Sequence, residues 1–143
     1  PLEDVSQAEP RMALGFTDEV LARIAADTSF RVISRTSVLA ATGGPKPIAQ
    51  VARELGVSYI LEGSIRRGGG RTRVTAQLIL AASDAHVWSE VYERPAPDPL
   101  AAEEEIARAV ARGVAGTLRE TAARPDPSVA WADSDSVSMT QDP

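Results

Sequence analysis

The sequence predicts an α/β (α+β) fold, a mixed β-sheet with helices packed on it in the order β-α-β-α-β-β-β-α, and three observations carry that reading. Three runs with strand-like alternation follow one another between Val57 and Tyr92. Helical patterns stand on both sides of them. A chain of 143 residues with 43% apolar side chains is long enough for one domain with a real core and too short for two ordinary ones.

Taken in order, Pro1 to Asp4 reads as the end of a strand entering a loop, as in a chain that begins earlier. Met12 to Asp27 is the first helix: Leu14, Val20, Leu21 and Ile24 cluster on one face, and Asp18 and Glu19 suit an amino-terminal turn, with Thr17 or Asp18 as the alternative cap. Phe30 to Ser34 alternates and is β-branched, so it reads as a strand and makes a right-handed β-α-β crossover the expected connection. Ser37 to Ala41 suggests one helical turn, and Thr42 to Pro47 reads as a loop. Ile48, Val51, Ala52 and Leu55 then recur at i, i+3, i+4 and i+7, with Pro47 suited to the first turn and Gly56 to the carboxyl-terminal cap.

Val57 to Ile65 leads through Arg66 and Arg67 into Gly68-Gly69-Gly70, and Arg71 to Leu80 returns, a strong hairpin signal. Val57, Tyr59, Leu61, Gly63 and Ile65 share the face expected to meet helices; Ser58, Ile60, Glu62, Ser64 and Arg66 share the other. After a turn at Ala81 to Ala85, the third strand of the meander places His86, Trp88, Glu90 and Tyr92 on one face. A Pro-rich connector from Arg94 to Pro99 precedes the longest helix, Leu100 to about Thr121, whose stripe is Ile106, Val110, Val114 and Leu118. Glu103 to Glu105 are expected to complement its dipole, and Glu104 to pair with Arg108 four residues on. From Ala122 the periodicity gives way to Pro, Ser and Asp. The expected organisation is therefore one domain over 1–121, its first strand truncated, and a disordered tail or linker over 122–143.

Chemistry is sparse. The net charge of -5 lacks the dense Lys and Arg that a general nucleic-acid surface needs, so no nucleic-acid contact is expected. Zero cysteines exclude disulfides, thiolate nucleophiles and sulfur-ligated metals, and one histidine cannot build a His-rich metal site. No apolar run approaches membrane-helix length. Gly43-Gly44-Pro45-Lys46-Pro47 is not a phosphate loop, because it lacks the Gly before Lys and the Ser or Thr after it. No cofactor and no catalytic set is expected. Two clusters remain as candidate interaction residues: Arg66, Arg67, Arg71 and Arg73 crowding the hairpin tip, and Trp88, Glu90 and Tyr92 on the third strand. Arginines at a glycine turn are ordinarily solvated, and the aromatics ordinarily pack beneath a helix with their polar atoms at the rim.

Several segments carry a family resemblance: GFTDE at 15–19, FRVISRTS at 30–37, ARELGVSYILEGSIRR at 52–67, VTAQLI at 74–79 and HVWSEVY at 86–92. Over about Pro1 to Leu118 the chain resembles the TolB-like amino-terminal domain, similar to the amino-terminal module of the translocation protein TolB and of a flagellar assembly lipoprotein. The resemblance implies a non-catalytic sensory or protein-interaction module of a larger bacterial signalling protein. It also implies neighbours such as adenylate or guanylate cyclase domains, winged-helix regulators, kinases and tetratricopeptide repeats. Partners would be other domains of the parent chain or separate proteins. The compartment would be cytoplasmic beside a cyclase or kinase and periplasmic beside a membrane-spanning regulator. The alternative reading is a small-molecule or anion-binding domain of a transcriptional regulator or transport-associated protein. A hydrolytic enzyme ranks third, for want of a nucleophile and base.

Overall fold

A computed structural model describes residues 15–26, 30–33, 46–95, 98–120, 128–133 and 137–138. Helix α1 covers 15–25, and strand β1 is Arg31–Ile33. Strand β2, Lys46–Pro47, runs into α2, Ile48–Leu55. The meander is β3, Tyr59–Gly68, β4, Arg71–Leu80, and β5, Ala85–Pro95. Helix α3 is Pro99–Glu120, and β6, Ser128–Asp133, and β7, Val137–Ser138, follow it.

The five-stranded sheet has the order β1-β6-β3-β4-β5, and β2 and β7 form a separate parallel pair. Strands β1 and β3 lie parallel to β6, whereas β3, β4 and β5 are antiparallel, so the sheet is mixed as expected. Glycine chemistry sets the hairpin register: Gly69 and Gly70 have φ of 59° and 73°, the double positive φ of a type I′ turn, and Gly68 therefore pairs with Arg71. At the second turn Asp84 takes φ 58°, a conformation that Asp tolerates.

Two cores sandwich the sheet. On one face α1 and α3 bury Phe16, Val20, Ile24, Ile106, Val110, Val114 and Leu118 against Tyr59, Leu61, Val74, Leu78 and Val129. On the other, Ile48, Val51 and Ala52 of α2 cover Ile60, Ile79, Ala130 and Ala132. The helix-facing assignment of Tyr59, Leu61 and Gly63 holds. Their opposite face is not simply polar, because α2 buries Ile60 and Ile79, and Glu62 is buried as well.

The carboxyl-terminal segment corrects the expected disordered tail. Ser128–Asp133 is an interior strand of the sheet, second in order and parallel to both its neighbours β1 and β3, with Val129, Ala130, Trp131 and Ala132 buried. Ser128 accepts a 2.9 Å hydrogen bond from the Ser58 amide at its Oγ, tying the start of β6 to the start of β3. Trp131 meets Phe16 edge to face, centroids 6.2 Å apart. It also lies over Gly63, where a Cβ would stand 2.9 Å from Trp131 Cη2 and 2.5 Å from the Thr75 carbonyl oxygen. The structural unit thus runs past residue 121.

Smaller corrections follow from local chemistry. Thr17 is a buried residue inside α1, which already runs from residue 15, rather than the cap at which the helix begins. Lys46 and Pro47 form β2 rather than loop, and Pro47 occupies the N-cap of α2 rather than its first turn. Gly56 caps α2 in the left-handed region as expected, and Arg31 donates to its carbonyl at 2.6 Å. Helix α3 is opened by Asp98, whose carboxylate accepts from the Ala101 amide. Its first turn holds no acid, and Glu103 lies one turn further in, buried. The expected strand at Pro1 to Asp4, the crossover built on it and the turn at Ser37 to Ala41 lie outside the described residues.

Candidate functional site

The hairpin arginines divide rather than converge. Alternation sends Arg67 and Thr72 to the helix-covered face, while Arg66 and Arg73 stand directly opposite each other on the other. Arg71 is spent on Glu93 of β5, in an exposed ion pair of 3.0 Å. Arg66 and Arg73 are left as an exposed like-charged cross-strand pair.

Arg67 reaches α3 instead. Its Nε lies 3.6 Å from Glu103 Oε2, too long for a hydrogen bond, although Glu103 is only 4% exposed. Arg67 Nε and Nη2, Glu103 Oε2 and Thr72 Oγ1 are buried without a hydrogen-bond partner among the described residues. Burial pushes the Glu103 carboxyl above its ordinary pKa, and Arg67 only partly opposes that shift. The contact fastens the hairpin to the amino-terminal half of α3 and leaves Glu103 electrostatically unfavoured.

On β5 a bulge rearranges the expected aromatic face. His86 pairs with Ile79 but Trp88 pairs with Leu78, so Val87 is an extra residue and His86 falls on the opposite face from Trp88. Trp88 is half-buried against α3, its indole lying where a Cβ at Gly113 would come within 2.7 Å. Tyr92 is half-buried too, with Arg94 over its ring at 6.0 Å. Burial, and then the Glu90 charge, raise the Tyr92 hydroxyl above its ordinary pKa against the pull of Arg94 and Arg112. Glu90 is exposed, and on the rim of a shallow hollow of about 220 Å³ it joins Glu62, Thr75, Gln77, Ser89 and Val91. Gln77 donates to Glu62 there at 2.7 Å, and Ser64 bonds Thr75 at 2.9 Å.

A further group was not foreseen. Arg23 of α1 and Arg108, Arg112 and Arg119 of α3 rim an open groove floored by Ala26, Ala111 and Ala115. The available signal was arginine at i, i+4 and i+11 along α3. The expected Glu104–Arg108 pair does not form. Among the described residues no three His, Cys, Asp or Glu side chains are grouped to hold a metal ion. No described helix is long and apolar enough to cross a membrane.

With this geometry in hand, comparison with known proteins adds one relationship. The chain is 38% identical over 96 residues to "Putative adenylate cyclase 3" of Rhizobium meliloti (strain 1021). The aligned stretch covers 67% of this chain but 16% of the relative, so the chain corresponds to a small part of a much larger protein. No protein-family profile matches, and no solved structure matches.

Proposed function

We propose that this chain is a TolB-like, non-catalytic regulatory and protein-interaction domain of a larger bacterial signalling protein whose output is a nucleotide cyclase. The observation that carries the reading is the similarity to one-sixth of a protein named for adenylate cyclase activity, a fraction that suits an attached domain. The site geometry agrees with docking. Arg71 is held by Glu93, Arg67 by Glu103 and Trp88 by α3, which are scaffold contacts, while Arg66, Arg73 and Glu90 remain exposed for a neighbouring surface.

Cyclic AMP formation by that relative, measured with and without the matching 96 residues, tests the proposal. We expect turnover to persist and its rate to change on excision, while the isolated 143-residue chain converts no ATP. Turnover by the isolated chain, abolished by Glu90→Gln, would overturn it. A second reading, anion binding at the hairpin, draws on the unneutralised pair Arg66 and Arg73. It predicts that inorganic phosphate shifts the amide resonances of those two residues.

A further inference from the structure

The groove between α1 and α3 has an electrostatic character opposite to that of the chain. Four arginines border it on a molecule of net charge -5, and its floor is alanine. Arg23, Arg108, Arg112 and Arg119 are all exposed. Arg23 shares its charge with Glu19 at 2.6 Å, whereas Arg108 and Arg112 form no hydrogen bond or ion pair among the described residues. Helical rise spreads the three α3 arginines over about 16 Å along one stripe.

We infer that this groove docks an acidic helix of a partner domain, lying along α3 with carboxylates spaced to meet the arginines. Three observations select that occupant. Alanines at 26, 111 and 115 leave room for a third helix to approach at the short end of helix-packing distances, roughly 8 Å between axes. Arginine forks favour carboxylates, and they are distributed along a line; a small anion would need donors converging on a point, and all four are exposed. A second copy is disfavoured, because a two-fold contact would set arginine stripe against arginine stripe. The inference rests on the regulatory reading and adds a second docking surface, distinct from the exposed residues of the hairpin and β5.

A capped, alanine-based peptide of about 18 residues, with glutamates at i, i+4, i+8 and i+11, is the probe, titrated into the 143-residue chain at low salt and followed by amide chemical shifts. We expect shifts confined to residues 23–26 and 108–119, suppression by added salt, and roughly tenfold weaker binding in Arg108→Glu/Arg112→Glu. Arg53→Glu, an exposed arginine of α2 on the far side of the sheet, should bind as the parent does. The inference is overturned if the glutamine version of the peptide binds equally, if no binding is seen, if ATP shifts the same amides more strongly than the peptide does, or if the parent dimerises through α3. Peptide binding together with an excision that leaves cyclic AMP formation unaltered would keep the surface and remove the regulatory reading. The converse pair of results would do the reverse.

Discussion

Gly63 shows at single-residue resolution how closely β6 is fitted to its neighbour. A side chain there would meet the Thr75 carbonyl and the Trp131 ring, one a backbone atom and the other locked against Phe16, so neither can yield cheaply. Gly63→Val is therefore expected to lower stability by ~1–3 kcal/mol in chemical denaturation; a variant as stable as the parent would show that Trp131 does not pack there. Glu103 poses an electrostatic problem at the same scale. Its pKa is raised by burial, so the folded chain binds this proton more tightly than the unfolded chain. Its contribution is accordingly most favourable below the ordinary carboxylate range and is lost as pH rises through the raised value. Replacing it by Gln removes the ionisation but keeps an acceptor for Arg67. Relative to the parent, Glu103→Gln should gain thermal stability on going from acid to neutral pH. A stability difference independent of pH would mean that Glu103 titrates normally.

At the scale of elements, what could be read in the sequence followed from periodicity. The meander, its glycine turn and α3 announced themselves by alternation or by an i, i+4 stripe, and the structure keeps them. Strand β6 has no alternation, because a parallel strand covered on both faces is a short continuous apolar run. Val129, Ala130, Trp131 and Ala132 are such a run, set between Pro127 and the acids and serines from Asp133, and the flanking composition masked it. Bulges are similarly silent: nothing in the alternation of His86 to Tyr92 marks Val87 as the extra residue that turns His86 away from Trp88. The groove arginines were legible as a spacing on α3, but their juxtaposition with Arg23 depends on how α1 packs. Deleting Ala122 to Pro143 removes the interior strand that joins β1 to β3 and strips Tyr59, Leu61 and Phe16 of their neighbour. Circular dichroism on heating should then show loss of the cooperative transition. A truncated chain that melts as the parent does would show that β6 adds nothing to the fold.

For the molecule as a whole, the sheet separates two cores that share no side chains, one beneath α1 and α3 and the other beneath α2. Strands β3, β4 and β6 contribute to both, through Leu61 and Ile60, Leu78 and Ile79, Trp131 and Ala130. That arrangement couples the layers through backbone while keeping local packing independent. Ile106→Ala empties space in the larger core and should cost about 2–5 kcal/mol. Val51→Ala, on the far side of the sheet, removes two methyl groups and should cost less. Because the two sites lie on opposite faces of the sheet with no shared partner, the double variant should lose the sum of the single losses to within about 0.5 kcal/mol. The parent and all three variants should unfold in one transition, since loss of either core bares strands that hold the other. Urea unfolding followed both by Trp fluorescence and by far-ultraviolet dichroism provides the check. Non-coincident curves would mean that α2 and its core melt separately from the helix-covered face, and the sheet would then be a boundary between two units rather than the element that joins them.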